Sequence, residues 1–110
     1  MRHAFYAQGR KRQGEMNKLE AKYAQHLDGL KLQGEIQWWG FEVMKFILAP
    51  KTSYTPDFAV LMKNGEMQMH ECKGFMMEDA NVKIKVAAEK FPFRFFVIKL
   101  KSHQWEIKEV

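Results

Sequence analysis

The sequence predicts an α/β domain with a mixed sheet flanked by helices, on three observations. An amphipathic helical pattern opens the regular part of the chain, strand-like apolar runs follow it, and a second helix leads into another strong strand. The connection through that second helix is long enough to be a right-handed parallel crossover, whereas the runs on either side of "KNGE" pair as an antiparallel hairpin. The expected order is helix, strand, strand, strand, helix, strand, with a short extra strand at the end.

Each element has its own warrant. Met16, Leu19, Tyr23, Ala24, Leu27 and Leu30 recur at spacings of three and four, which predicts a helix over 16–30. Glu20 falls on or beside that apolar stripe and so should point toward the sheet. After Gly34, "EIQWWGFEVMKFIL" is rich in aromatic and β-branched residues and reads as one long or bulged strand, kinked at Gly40. "APKTS" reads as a turn. Strands over 54–62 and 68–73 flank Asn64-Gly65, a dipeptide suited to a tight primed turn in which both residues take positive φ. "GFMMED" reads as a loop, with Asp79 capping a helix over 80–91 that Pro92 ends. "RFFVIKL" is the next strand, and "QWEIKE" is a short one to pair with it.

With 110 residues, the chain is expected to form one domain, residues 1–110, with a polar basic arm over about 1–12. The N-terminal stretch has no apolar signal-like core, and runs such as "FILA" are far shorter than the ~20 residues that span a bilayer. No membrane partner is expected, and the reading is a soluble cytoplasmic protein. A single cysteine, Cys72, excludes an internal disulfide and leaves too few thiols for a typical structural zinc site. The net charge of +5 favours a polyanionic partner. Two basic clusters carry the excess: Arg2, Arg10, Lys11 and Arg12 in the arm, and Lys83, Lys85 and Lys90 in the second helix.

The hairpin holds charges that a sheet interior does not explain. Side chains alternate along a strand, so Glu71 and Lys73 share one face while His70 and Cys72 share the other. If the chain turns at Asn64-Gly65, Asp57 lies at the same end of the sheet as Glu71 and Lys73. Charges among strand hydrophobes are costly to desolvate and need water, a partner or a metal ion. Two carboxylates aimed at one point suit a hard divalent cation such as Mg²⁺. Glu20 is a further carboxylate for the same centre. The competing account is a surface ion pair between Glu71 and Lys73, with Asp57 a turn residue after Pro56. It explains each residue separately but not their convergence.

"TPDF" followed across a hairpin by "HECKG" resembles the signature of the PD-(D/E)XK, or restriction-endonuclease-like, nuclease superfamily. A glutamate on the preceding helix, Glu20 in "NKLEAKYA", and the lysine-bearing helix "VKIKVAAEKF" extend the similarity to small phage-encoded members and, more distantly, to Holliday junction resolvases. The resemblance spans nearly all of residues 15–100. It implies an αβββαβ core and Mg²⁺-dependent phosphodiester hydrolysis, with Mn²⁺ able to substitute. Asp57 and Glu71 would hold the metal, the Cys72 backbone carbonyl could contribute, and Glu20 would complete the site directly or through water. Lys73 would position or help deprotonate the attacking water and stabilise the charge on phosphorus. One departure is Asn17, where a serine is expected in "SKxEA"-like relatives; it preserves a helix cap but not a hydroxyl.

The remaining candidates have simpler readings. His70 and Cys72 are two potential ligands on one strand, too few for a closed zinc site, and are better read as core. Of Trp38 and Trp39, one should enter the core and the other lie partly outside, with stacking on unpaired bases the lesser reading. Lys83 and Lys85 should diverge, and contact with DNA phosphates falls to one of them and to Arg10, Lys11 and Arg12. The expectation is a metal-dependent endodeoxyribonuclease acting on duplex or branched DNA in phage recombination, replication or packaging, structure-selective or nonspecific. Two symmetric cuts in a branched substrate would require two sites, hence a homodimer. The alternative is a DNA-binding or assembly protein that keeps the fold without turnover.

Overall fold

The computed structural model describes residues 14–74 and 78–110. Helix α1 (Lys18–Leu32) begins two residues later than the periodicity predicts because Asn17 is its cap: Asn17 Oδ1 accepts from the Glu20 amide at 2.8 Å, and Glu20 Oε1 accepts from the Asn17 amide at 2.9 Å. It ends at Gly34, whose φ of +80° lets the Gly34 and Glu35 amides return to the Lys31 and Leu30 carbonyls at 3.1 and 2.9 Å.

The strands that follow are β1 (Ile36–Phe41), β2 (Phe46–Ala49), β3 (Thr52–Tyr54), β4 (Phe58–Met62) and β5 (Met67–Cys72). Helix α2 (Glu78–Lys90), β6 (Arg94–Lys101) and β7 (Gln104–Glu109) complete the chain. A five-stranded mixed sheet has the order β1-β4-β5-β6-β7, antiparallel throughout except for β5 beside β6. That parallel pair is the one joined through α2, as expected, and "QWEIKE" pairs with β6. Among the described residues no helix is long and apolar enough to cross a membrane.

Several local expectations are corrected. The long strand after Gly34 is two strands in different sheets, because the backbone turns at Glu42, with φ of 52°, and β2 pairs with β3 in a separate hairpin. Gly40 is not a kink. It lies within β1 opposite Ala59, and the register shifts between Ile36 and Trp38. Its missing side chain makes room for the Trp38 ring, which a Cβ would approach to 2.8 Å. The expected strand over 54–62 breaks at Thr55-Pro56-Asp57, where proline has no amide to donate to a ladder. The turn in "APKTS" narrows to Pro50-Lys51, since Thr52 already belongs to β3. In the β4–β5 turn only Gly65 takes positive φ, at 90°. The Gly65 amide donates to Met62 O and the Met62 amide to Glu66 O, while Asn64 Oδ1 accepts from the Glu66 amide. That is a three-residue loop with a glycine bulge rather than a primed turn. Finally, α2 starts at Glu78, so Asp79 lies within its first turn instead of capping it.

Two apolar clusters sandwich the sheet. Tyr23, Leu27, Ile36, Phe58, Cys72 and Ile98 fill the α1 side. Phe46, Leu48, Met69, Ile84, Ala87 and Phe95 fill the other, between the sheet, α2 and the β2–β3 hairpin.

Candidate functional site

Strand alternation on β5 works as the sequence requires. His70 and Cys72 face α1, where His70 Nδ1 meets Tyr23 Oη at 2.7 Å and Cys72 joins the core. Glu71 faces the other way, and its Oε1 accepts from Tyr54 Oη at 2.7 Å and from the Asp57 amide at 3.2 Å. Tyr54 reaches this point because β3 ends there, just before the Thr55-Pro56-Asp57 break that leads into β4.

Asp57 occupies the seam between the two faces. Ladder pairing of β4 with β5 ends at Phe58–His70, and beyond it Asp57 Oδ2 accepts from the Cys72 amide at 2.9 Å, replacing a backbone partner with a carboxylate. Glu20 arrives from α1, held by its capping contact with Asn17. Glu20, Asp57 and Glu71 are only 4%, 7% and 8% exposed. A solvated ion pair is thereby excluded for the two acids of the hairpin, and Glu20 is no boundary residue reaching water.

The three carboxyls are electrostatically coupled. Burial first, then the charges of Glu71 and Glu20, hold Asp57 well above the usual carboxylate range, and a side-chain hydrogen bond to Glu20 acts in the same direction; the Cys72 amide opposes them. Burial and the neighbouring carboxyls therefore favour the protonated form of Asp57 in the protein alone. Tyr54 is pushed upward by burial and by Glu71, so it remains a hydroxyl that donates to that carboxylate.

The acidic side chains at this centre offer carboxylate oxygens beside the Tyr54 hydroxyl, a set of hard oxygen ligands suited to Mg²⁺ or Mn²⁺, and a cation would relieve the repulsion that favours a proton on Asp57. Among the described residues no three His, Cys, Asp or Glu side chains are already posed as a set that could hold a metal ion. Asp57 and Glu71 are engaged with the Cys72 amide and the Tyr54 hydroxyl.

The predicted residues thus separate. Glu20, Asp57 and Glu71 come together. Lys73, just past the end of β5, donates its amide to Ile98 O at 2.8 Å and lines a cavity on the α2 side of the sheet. Lys83 and Lys85 are both exposed, and of the two only Lys85 lines the same cavity. Arg10, Lys11 and Arg12 lie outside the described residues.

Sequence reasoning missed Tyr54, Lys99 and Lys108. Tyr54 carries no motif signal, and the two lysines become neighbours of Lys73 only through strand register: Glu71 stands beside Val97 and Lys108 opposite Val97. It also missed a buried relay in which His70 Nε2 meets Gln68 Oε1 at 2.9 Å and Gln68 Nε2 donates to Glu66 Oε1 at 2.6 Å. Because Glu66 can only accept, Gln68 must offer its oxygen to His70. His70 therefore carries its proton on Nε2 and accepts from Tyr23. Burial pushes the imidazole down to about 4, which keeps it neutral. Trp39 is half-buried against Phe58, with Nε1 donating to Asp28 at 2.9 Å, and Trp38 is exposed.

Comparison with protein-family models, curated proteins and solved structures found no match.

Proposed function

We propose that this chain is a metal-dependent endodeoxyribonuclease of the PD-(D/E)XK type that hydrolyses DNA phosphodiester bonds. The observation that carries the reading is the convergence of two buried carboxyls, Glu20 of α1 and Glu71 of β5, on the buried carboxyl of Asp57 in the break before β4, with a lysine-lined cavity on the α2 side of the sheet. The order of helices and main-sheet strands, α1, β1, β4, β5, α2 and β6 followed by β7, with the parallel step between β5 and β6, is compatible with it.

Asp57 and Glu71 would hold Mg²⁺ or Mn²⁺, with the Cys72 carbonyl as an additional ligand and Glu20 acting directly or through water. Bound there, the ion would lower the pKa of a coordinated water and offset charge on the phosphate. The chain's own residues do the rest. Tyr54 fixes the orientation of Glu71, the Cys72 amide fixes Asp57, and the cap at Asn17 fixes Glu20. Lys73 orients the attacking water and stabilises the additional negative charge as the transition state forms. DNA is recognised by backbone charge and shape, for which the lysines of α2, β6 and β7 are suited.

One observation favours a second reading, a binding protein without turnover: the carboxylates are committed to hydrogen bonds rather than posed for a cation. Incubating the protein, with and without Mg²⁺ or Mn²⁺, with supercoiled plasmid and a labelled four-way junction separates the two. Metal-dependent cleavage that disappears in Lys73→Ala and Glu71→Ala is the expected result. No cleavage, with salt-sensitive DNA binding that survives both substitutions, would leave the binding reading. Symmetric cuts confined to the junction would identify a structure-selective enzyme working as a dimer.

A further inference from the structure

A cavity of about 220 Å³ lies on the α2 side of the sheet, lined by Lys73 from the end of β5, Asn81 and Lys85 from α2, Lys99 from β6 and Lys108 from β7. Four lysines thus line it, three from α2, β6 and β7 and one from just past the end of β5. Among the described residues none of the four forms an ion pair, although the neighbourhood contains acids that could supply one. Glu106, directly across from Lys99, pairs with Lys101 at 3.5 Å, and Glu109 at the cavity rim is held by Arg94 at 2.9 and 3.0 Å. Glu109 and Val110 also line the cavity, but no carboxylate pairs with any of its four lysines among the described residues.

Like charges gathered around a concavity repel one another, and an anion seated among them removes that cost. Asn81, in the first turn of α2, lines the same cavity. Asn81 also adds an amide donor, and Ile84 and Val97 provide an apolar floor that lowers the local dielectric. Several flexible cationic donors in a small concavity suit a phosphate group, whereas a planar base would need a stacking surface that these residues do not offer.

We propose that this cavity is a phosphate seat for the nucleic-acid strand, in which Lys99 and Lys108, with Lys85 and Asn81, hold a phosphate other than the one being cleaved while Lys73 links the seat to the carboxylate centre. The proposal rests on the nuclease reading for its purpose, but its test does not require turnover. The seated group is either a terminal phosphate monoester or an internal diester, and the two share the same recognition chemistry.

The test measures binding of fluorescent oligonucleotides to the full chain in EDTA, as single strands and duplexes, each with and without a 5′-phosphate, over a range of salt. Inorganic phosphate serves as competitor. The Lys99→Gln/Lys108→Gln protein should bind about tenfold more weakly, with a log K against log salt slope shallower by about 1 for each phosphate it no longer neutralises. Lys31→Gln, which removes the same charge at the end of α1, should not. Thermal unfolding of each variant establishes that it is folded. A greater weakening for 5′-phosphorylated strands identifies the terminal group, and equal weakening identifies an internal one; either supports the seat. Unchanged affinity and slope in the folded double variant would overturn it. If the wild type never cleaves yet the double variant binds more weakly, the nuclease reading falls and the seat stands. If the wild type cleaves and the double variant matches it in affinity and KM, the seat alone falls.

Discussion

Two consecutive residues of β5, His70 and Glu71, are both buried and point to opposite faces, yet their surroundings have opposite character. On the α1 side His70 sits in a chain of complementary donors and acceptors, from Tyr23 through His70 and Gln68 to Glu66 and on to Arg94 and Glu109. Every proton has an assigned place and the imidazole remains neutral. On the other side Glu71 accepts from the Asp57 amide, and Asp57, at the seam between the faces, is driven toward its protonated form by burial and by the charges of Glu71 and Glu20. A satisfied polar network adds specificity to a core at little net expense. A repelling one destabilises the fold and persists where it serves a site.

Substitutions on the two faces should therefore differ in kind. On the nuclease reading proposed above, the largest expected effect is on turnover. Glu71→Gln keeps an oxygen for the Tyr54 hydroxyl but removes the charge, so metal-dependent cleavage should fall by about 10²-fold or more, while the melting temperature of the metal-free protein should rise as repulsion is relieved. A drop in melting temperature would show that Glu71 is structural. Next, His70→Ala opens a cavity and strands both Tyr23 and Gln68, costing about 2–4 kcal/mol in urea unfolding, with the metal affinity of the still-folded fraction unchanged. A cost under about 1 kcal/mol would mean that the buried relay contributes little.

A smaller pair of effects comes from pH, with opposite signs on the two faces. Below about pH 6.5 the unfolded chain protonates His70 but the folded protein does not until about pH 4, so stability falls as pH drops through that interval, by roughly 3 kcal/mol in full. Asp57 works the other way: the folded protein keeps a proton that the unfolded chain releases above about pH 4, so stability declines as pH rises from there to the elevated folded-state pKa. Between about pH 4 and 6.5 the two slopes offset each other, so metal-free stability should be nearly flat there and decline above about pH 6.5, where only Asp57 still acts. Mg²⁺ should lift the alkaline limb, and calorimetry in buffers of different ionisation enthalpy should show proton release on binding that is absent from Asp57→Asn.

The parts of the molecule legible in the sequence were those set by a local period or a dipeptide. The stripe from Met16 to Leu30 oriented Glu20, alternation separated His70 from Glu71, and the spacing between β5 and β6 fixed their parallel pairing. What was illegible depended on non-local geometry or on backbone states without a distinctive residue. Glu42 takes positive φ with neither glycine nor asparagine to announce it, so the second sheet was hidden inside one long apolar run. Tyr54 became a partner of Glu71 only because that second sheet exists. Lys99 and Lys108 acquired meaning only from the register of β6 and β7.

Glu20 does two things at once: its Oε1 latches the Asn17 amide, and its carboxyl shares a hydrogen bond with Asp57. The start of α1 and the carboxylate centre are thus linked mechanically as well as electrostatically. A ligand that draws the Glu20 carboxylate toward itself releases the amide latch, and one that reaches it through water leaves the latch closed. Fraying of the first helical turn, read as deuterium uptake at the Asn17 amide, is therefore a built-in indicator of whether the centre is occupied and how Glu20 takes part.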